Sequence, residues 1–259
     1  MKYKIITTLP LNHPTIVQLG RALVQAGHVA SADAKVHIHI PDPTFVEYHP
    51  EAHNVVYIPN YSHSIDKYVV EMYFDHVVTS NDTSYFYYKD TLNVAKPVSI
   101  LRPFTLSSTF KAKSEKDIAV SIFSESPVPK CLPVLRDITS QVKILTFKDF
   151  IPSFVSRSKV VIHENPSRTL LAPPFSYLYL RALGGSLIIA ENAEVLESQW
   201  KAITYSFGYG LKNLLETYLA NADELERSRQ QQNRQWKKLR PDKEAVLKEC
   251  EVFFKEFRG

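Results

Sequence analysis

Two polar residues in the first third of the chain follow short apolar runs and carry side chains that can accept a proton. His13 comes after residues 3–8, and Asp42 comes after residues 35–40. Open α/β sheets bind ligands outside the carboxyl ends of their strands, so both residues are candidates for a catalytic general base. Histidine titrates near neutral pH, which suits it to that role. Both also neighbour proline, and the alternative for each is a turn-forming or capping role.

Several cationic residues could bind an anionic group such as a phosphate. Arg168 precedes a predicted helix that begins at Pro174, and Arg102 follows the last predicted strand of the first half. Lys148 follows a strand in the second half. The backbone N–H groups near Ser176 and Tyr177 would add the positive end of the helix dipole. The alternative for Arg168 is a solvated position in a loop. The alternative for Arg102 is a structural salt bridge.

Other classes of site find little support in the sequence. His37 and His39 alternate on one predicted strand, but no acidic or cysteine partner has metal-site spacing, and a structural role is favoured. Asp-x-Asp, Walker A, GxGxxG and GxSxG patterns are absent. Because the chain has only 7 glycines, a phosphate site has to depend on helix ends and arginine. No essential metal is expected.

The elements that would position these residues form two similar halves. In each half, short β-branched runs alternate with amphipathic helical segments, which is typical of parallel βαβ sheets. The sequence therefore predicts an α/β fold with two Rossmann-like lobes and C-terminal helices. The predicted lobes span 1–106 and 117–240, a polar Ser- and Lys-rich hinge spans 107–116, and a final helix at 241–259 packs back on the lobes.

Composition is ordinary for a globular protein with a real core, at 44% hydrophobic and 22% charged residues. The net charge of +4 is compatible with an anionic partner such as a nucleotide sugar or nucleic acid. The two cysteines are far apart, no apolar run approaches membrane-spanning length, and no signal peptide is recognisable. These features predict a cytoplasmic protein without a membrane partner.

The segment 149–234 resembles the C-terminal lobe of GT-B glycosyltransferases with a family-1-like module. A strand ends in His163-Glu164-Asn165-Pro166-Ser167, and the next helix ends in Arg181-Ala182-Leu183-Gly184-Gly185 before an apolar strand. A helical segment, 211–221, and a charged closing helix follow in the order typical of that family. The resemblance covers about a third of the chain and implies the two-lobed GT-B fold, with a nucleotide sugar bound by the second lobe.

The resemblance also implies which residues contact the donor, for which a UDP-sugar is expected first. The loop before the Pro174 helix and the start of that helix would bind the diphosphate, and Phe147 and Lys148 would lie near the nucleotide base. For Phe147, packing in the core is the favoured alternative. One departure is clear, because Arg181 occupies the place of the glutamate that holds the donor ribose in the family. Glu191, after the next strand, is the candidate to replace it. The full set of expected donor contacts is Arg102, Phe147, Lys148, Asn165, Ser167, Arg168, Ser176, Tyr177, Arg181 and Glu191.

The acceptor is open at this stage. Compact enzymes of this type resemble viral and bacteriophage glycosyltransferases, some of which modify hydroxymethylated bases in DNA, and basic segments such as 237–240 could contact phosphates. A glycan- or lipid-directed transferase is the second hypothesis. A non-catalytic GT-B-like module that binds a nucleotide or nucleic acid is the third, and Arg181 is its main support.

Overall fold

The computed structural model describes residues 1–9, 11, 13–40, 48–59, 65–102, 115–124, 128–145, 152–164, 175–191, 201–206, 209–240 and 242–255. The chain divides into two compact units. The first comprises Met1–Thr105 together with Pro241–Gly259, and the second comprises Leu106–Arg240. Of the predicted hinge, 107–116, only Glu115 and Lys116 lie within the described residues.

The first unit is built on a parallel sheet. In the described residues its strands are β1 (Lys2–Ile6), β2 (Val29–Ala30), β3 (Val36–His39), β4 (His53–Ile58), β5 (His76–Thr79) and β6 (Val98–Ile100), in the spatial order β2-β1-β3-β4-β5-β6. The chain therefore turns from one side of β1 to the other after β2. Strands β3 and β5 are buried along their whole length, and β4 is buried except for His53 at its start. Burial on both faces is typical of parallel strands that helices cover.

The helices of the first unit are α1 (Pro14–Gln25), α2 (Lys67–Tyr73), α3 (Asp82–Phe86) and the C-terminal helix, here called α9 (Lys243–Lys255). Helix α1 buries Leu19 and Leu23 at helical spacing, and it ends before Gly27, whose φ of 83° favours glycine. Although α9 is the last element of the chain, it completes the core of the first unit with Val246, Cys250, Phe253 and Phe254.

The second unit repeats the design. Its strands are β7 (Ile118–Phe123), β8 (Val142–Leu145), β9 (Ser158–His163), β10 (Leu187–Glu191) and β11 (Ile203–Tyr205), all parallel, in the order β11-β10-β9-β7-β8. The described helices are α4 (Leu132–Arg136), α5 (Pro152–Arg157), α6 (Phe175–Leu183), α7 (Tyr209–Ala220) and α8 (Ala222–Leu239). Apolar clusters are present on both faces of this sheet.

The predicted fold class is confirmed, because both units are Rossmann-like parallel sheets flanked by helices. Three local elements go beyond what the sequence pattern predicts. Strands β2 and β11 are too short to give a pattern. The Tyr-rich segment 82–92, whose pattern predicts one helix, is α-helical only as far as Phe86 and continues as a π-helical turn, Tyr87–Thr91. That wider turn buries Tyr88, whose hydroxyl accepts a hydrogen bond from the Ile65 N–H at 2.9 Å.

Within the described part of the chain, no helix combines the length and the apolar character that crossing a bilayer requires.

Candidate functional site

The carboxyl edge of the second sheet has a topological switch point, the place where successive strands leave in opposite directions. Strand β8 lies on one side of β7 and β9 lies on the other, so the residues after β7 and β9 flank this point. Ligands of open α/β sheets bind in the crevice at such a point. The described side chains at this edge are therefore the first candidates for functional residues.

Glu164 follows β9 directly and is 5% exposed. One oxygen of its carboxylate accepts a hydrogen bond from Ser124 Oγ at 2.8 Å, and the other accepts one from the Cys131 backbone N–H at 2.8 Å. Ser124 follows β7 and Cys131 precedes α4, so a single carboxylate connects three segments that meet at the switch point. A buried carboxylate needs such donors, since an unpaired one is costly to remove from water.

A second buried carboxylate belongs to Glu191, the last residue of β10, which is 2% exposed. Its Oε2 lies 3.5 Å from Lys130 Nζ, and the lysine side chain is about half exposed. Burial, reinforced by the nearby Cys131 and the two glutamates, raises the pKa of Tyr205 well above its ordinary value. Burial and a hydrogen bond to Glu164 likewise raise the pKa of the Cys131 thiol. Cys131 and Tyr205 are therefore neutral at physiological pH.

Helix α6 begins at the same edge, where the resemblance implies diphosphate binding. Ser176 is buried in its first turn, and its Oγ is hydrogen-bonded to His163 Nε2 at 2.7 Å. The His163 ring stacks on Phe123 at 5.8 Å between ring centroids with an interplanar angle of 7°. The last residue of β9 thus fixes the start of α6 with respect to the sheet, and the helix N-terminus has a defined position.

Arg181 lies farther along α6, in its last turn, and is 2% exposed. Its guanidinium donates to the Tyr177 hydroxyl at 2.7 Å and to the Gln232 backbone carbonyl of α8. The Gln232 side chain in turn makes two hydrogen bonds to the backbone of Ile188 in β10. The Tyr177 hydroxyl and the Gln232 carbonyl are neutral acceptors, and the contacts join α6 to α8 and the sheet. Arg181 and Tyr177 as donor-binding residues stay predictions.

The first unit has an equivalent switch point between β1 and β3. His13 lies there, before α1, and is 8% exposed. Its Nδ1 accepts a hydrogen bond from the Thr15 backbone N–H at 3.2 Å, which makes it the N-cap of the helix. With Nδ1 acting as acceptor, the neutral ring carries its proton on Nε2. The role of His13 as a catalytic base stays a prediction. It requires Nδ1 to release the Thr15 N–H before it accepts a proton in the reaction.

Arg102 follows β6 and is engaged by two carboxylates of its own unit. Its guanidinium forms a bidentate pair with Asp82, at 2.8 and 3.0 Å, and a second ion pair with Glu249 of α9. The Arg102 backbone N–H also donates to Glu249 at 2.9 Å. The salt-bridge alternative is therefore present in the structure, and a donor contact by Arg102 stays a prediction that has to compete with it.

Two histidines of β3 are hydrogen-bonded to neutral groups, whereas His53 of β4 lies 3.8 Å from the Asp75 carboxylate. His37 Nε2 is 3.1 Å from the Ala34 carbonyl oxygen, and His39 Nε2 is 2.9 Å from Asn54 Oδ1. The His49 ring meets that of His37 edge-on at 4.5 Å. Among the described residues, no group of three or more His, Cys, Asp or Glu side chains could hold a metal ion.

Six predicted site residues lie outside the described residues: Asp42, Phe147, Lys148, Asn165, Ser167 and Arg168. Two carboxyl-edge residues were not singled out from the sequence, namely Ser124 and Glu164. Both follow a predicted strand directly, so the rule that open sheets bind ligands beyond their strand ends could have identified them.

Comparison with known proteins supports the fold and leaves the activity open. No protein-family model matches the chain, and no curated protein matches it in sequence. Among solved structures, a sucrose-phosphate synthase from Thermosynechococcus elongatus matches with a TM-score of 0.55 at 10% identity, over 99% of each chain. A glycosylation-associated protein complex (Gap123) from Streptococcus agalactiae matches with a TM-score of 0.41 at 12% identity, over 76% of this chain and 50% of that one. The first match confirms the GT-B-like two-lobe fold expected from the sequence.

Proposed function

We propose that this chain transfers a sugar from a nucleotide-sugar donor to a hydroxyl acceptor, with the donor bound at the carboxyl edge of the second sheet. The observation that carries the proposal is the likeness in fold, along the whole chain, to a sucrose-phosphate synthase. Because one fold can host many activities, the chemistry has to be argued from the edge residues.

The donor diphosphate is assigned to the start of α6. The N-terminus of a helix carries partial positive charge and directs backbone N–H groups outward, which stabilises an anion. The contact between His163 and Ser176 holds this helix end against β9 at 2.7 Å. Arg168, Asn165 and Ser167, which precede the helix in the sequence, belong to this proposal as phosphate ligands, and Phe147 and Lys148 belong to it as contacts of the base.

Glu191 is assigned to hydroxyl groups of the donor. Its carboxylate ends β10 and can accept hydrogen bonds from a sugar or ribose diol. Lys130 Nζ lies 3.5 Å from its Oε2 and places a cation beside the same position. Glu164 is assigned a positioning role, since both of its oxygens are engaged by the protein.

The reaction that follows is a substitution at the anomeric carbon. The acceptor oxygen forms a bond to that carbon, the bond from the carbon to the diphosphate oxygen breaks, and the acceptor proton passes to a base or to the leaving phosphate. The developing charge on the diphosphate is stabilised by the helix end and by cations. His13 and Asp42 are the candidate bases in an inverting reaction, whereas a retaining one would rely on the phosphate. Neither route requires a metal, so transfer should persist in EDTA.

The first test is a thermal-shift series with UDP-, GDP-, ADP- and CMP-sugars. A ligand that binds only the folded state stabilises it by about 2.7 kcal/mol at 100 times its dissociation constant. We expect one nucleotide class to raise Tm, and Glu191→Gln to reduce that effect at least tenfold in apparent affinity. Glu216→Gln, an exposed substitution of the same type on α7, is the matched control. No stabilisation by any nucleotide sugar or free nucleotide would overturn the donor assignment.

The acceptor class and turnover are separated by further experiments. Release of nucleotide from the donor, followed by chromatography, distinguishes an enzyme from a non-catalytic binding module. Transfer to hydroxymethylated duplex DNA, with binding that weakens steeply as salt rises, would support a DNA acceptor. Transfer to saccharide or lipid acceptors with indifference to DNA would support the other enzymatic hypothesis.

A further inference from the structure

Among the described residues, Gln18 of α1 is a buried side chain with neither of its polar atoms hydrogen-bonded. Its exposed fraction is 2%, and the two atoms are the amide Nε2 and Oε1. Its helix neighbours on the buried face, such as Leu19 and Ala22, are core residues of the first unit. Gln18 thus places an amide, with two donor hydrogens and an acceptor oxygen, in a position that would otherwise suit an apolar side chain.

Such an arrangement is unfavourable for the free protein. Leaving a buried donor or acceptor unsatisfied costs about 1–3 kcal/mol per group, and the great majority of buried polar side-chain atoms in proteins have a partner. Methionine would fill a similar volume without that cost. A bound ligand that supplies both a donor and an acceptor would turn the same amide into a favourable contact.

The position of Gln18 links the amide to the switch point of the first sheet. Side chains of an α-helix lean toward its N-terminus, so a residue in the second turn of α1 projects toward the helix start. That start is capped by His13, which lies between β1 and α1. The switch point between β1 and β3 is the place where an open sheet of this order binds its ligand.

The helix start itself is poorly equipped for an anion. A helix normally leaves its first four N–H groups unpaired, here those of residues 13–16, but Pro14 has no N–H. The Thr15 N–H already donates to His13 Nδ1 at 3.2 Å. Two of the four donors are thus unavailable, whereas a phosphate needs several outward N–H donors. The helix start therefore favours an uncharged ligand over a phosphate.

We propose that Gln18 binds adjacent hydroxyl groups of an uncharged sugar, which serves as the acceptor or its nearest part. One hydroxyl donates to Oε1 and its neighbour accepts from Nε2, so a vicinal diol satisfies the amide completely. This inference rests on the proposed glycosyl transfer, because it assigns the acceptor to the first unit. An adenine edge offers the same pair of groups and is the competing ligand that the test has to separate.

The test compares Gln18→Met with Gln25→Met, the same substitution at an exposed position on the same helix. The probes are glucose, galactose, mannose, fructose and N-acetylglucosamine at about 50 mM, well above the millimolar constants of weak ligands. Glucose 6-phosphate, fructose 6-phosphate and adenosine are the comparison probes. Binding to the full-length protein is followed by ligand-observed NMR. We expect at least one neutral sugar to bind the wild type and Gln25→Met, and to lose at least tenfold in affinity with Gln18→Met.

Three results would overturn the inference. The first is that no neutral sugar of the panel binds, or that Gln18→Met binds it unchanged. The second is that a sugar phosphate binds more tightly than its neutral parent, or that adenosine is the ligand lost in Gln18→Met. The third is that Gln18→Met lowers the Tm of the free protein, since removing an unsatisfied amide should leave Tm equal or higher.

The nucleotide-sugar thermal shift, measured in the same variants, separates this inference from the donor proposal. We expect Gln18→Met to keep the full nucleotide effect, because the donor is assigned to the other unit. Loss of sugar binding with an intact nucleotide effect supports both proposals. Sugar binding without any nucleotide effect in the wild type would retain the Gln18 site and reject the donor assignment.

Discussion

In both units the chain leaves its first strand for one edge of the sheet and then crosses to the other side. The strand pairs β1 with β3 and β7 with β9 therefore flank equivalent switch points. The groups found there differ in kind. The second unit has two buried carboxylates, Glu164 and Glu191, whereas the first has a helix-capping histidine and the unpartnered amide of Gln18. Topology makes the two edges equivalent, and the individual side chains make them chemically different.

The two units also differ in how their cores are completed. The second unit is continuous in sequence, from Leu106 to Arg240, whereas the first depends on α9, which follows the second unit along the chain. Both tryptophans, Trp200 and Trp236, belong to the second unit. Tryptophan emission therefore reports on the second unit, and amide exchange in β3 and β4 reports on the first. The following predictions use this pair of probes.

The largest effect is expected for Phe254→Ala in α9. Phe254 is fully buried in the core of the first unit, and large-to-small substitutions of buried phenylalanine cost about 3–5 kcal/mol. Amides of β3 and β4 should lose protection while tryptophan emission is unchanged. Val252→Ala, at a position 48% exposed on the same helix, is the control and should have little effect. If amide protection in β3 and β4 and the native tryptophan emission were lost together, the two cores would not be independent.

A smaller effect is expected for Glu164→Gln in the second unit. In the variant the amide oxygen can accept from the Cys131 N–H, but the amide NH2 group then faces Ser124 Oγ, whose hydroxyl has to turn and accept from it. The second amide hydrogen is left without an acceptor among these groups. An unsatisfied buried group costs about 1–3 kcal/mol. The tryptophan-detected unfolding midpoint in urea should fall, with β3 and β4 protection intact. Glu216→Gln on α7 should leave that midpoint unchanged, and a wild-type midpoint for Glu164→Gln would show that the carboxylate does not hold these segments together.

The pH dependence should distinguish the units as well. Burial, with a contribution from His53, lowers the pKa of His76 to about 4 from the ordinary value of 6.5. The unfolded chain therefore binds a proton at this residue between pH 6.5 and 4 while the folded chain does not. The contribution of His76 to the stability of the first unit is fully present above pH 6.5 and falls as the pH drops toward 4. The loss from this residue is at most about 1.4 kcal/mol per pH unit.

His76→Gln, which keeps a donor for Ser99 Oγ, tests the origin of this acid sensitivity. Amide exchange of β4 and β5 should become less dependent on pH between 6.5 and 4 in the variant. His53 contributes in the same direction, because burial lowers its pKa. The charge of Asp75 opposes that shift without cancelling it. An unaltered pH profile in His76→Gln would assign the acid sensitivity to other groups.

The smallest effect is expected for the exposed ion pairs that each unit carries. Lys2 pairs with Asp33 in the first unit at 2.8 Å, and Arg157 pairs with Asp117 in the second. Solvent and salt screen such pairs, and holding the long side chains in place opposes the Coulomb gain. Asp33→Asn and Asp117→Asn should each leave the Tm within error of the wild type. A measurable loss in either unit would indicate that its pair belongs to a larger network.

Much of the fold could be predicted from the sequence, because buried parallel strands are continuous apolar runs that hydropathy detects. Strand β2 has only two residues and β11 only three, and both are too short for a recognisable pattern. Spatial strand order is not encoded in any local pattern, since it depends on which edges the helices cover. The π-helical turn at Tyr87–Thr91 depends in the same way on distant packing around Tyr88.

The candidate site was harder to predict from the sequence than the fold. Glu164 could have been found from its place after a strand, but the donors that fix it, Ser124 and the Cys131 N–H, are about 40 and 33 residues away in sequence. Gln18 gives no signal at all in the sequence, because a glutamine on an amphipathic helix is ordinarily solvated. Gln18 differs from the exposed Gln25 in being buried without hydrogen-bond partners, and only the three-dimensional structure shows this difference.

The return of α9 to the first unit also has a consequence for biosynthesis. The strands of the first unit leave the ribosome before any of the second, yet Val246, Cys250, Phe253 and Phe254 are translated after the second unit. The sheet of the first unit therefore waits with part of its apolar surface uncovered, while the second unit already has the residues of its own core. Domains usually fold from the amino terminus as they are made, and we expect the second unit to complete its core first.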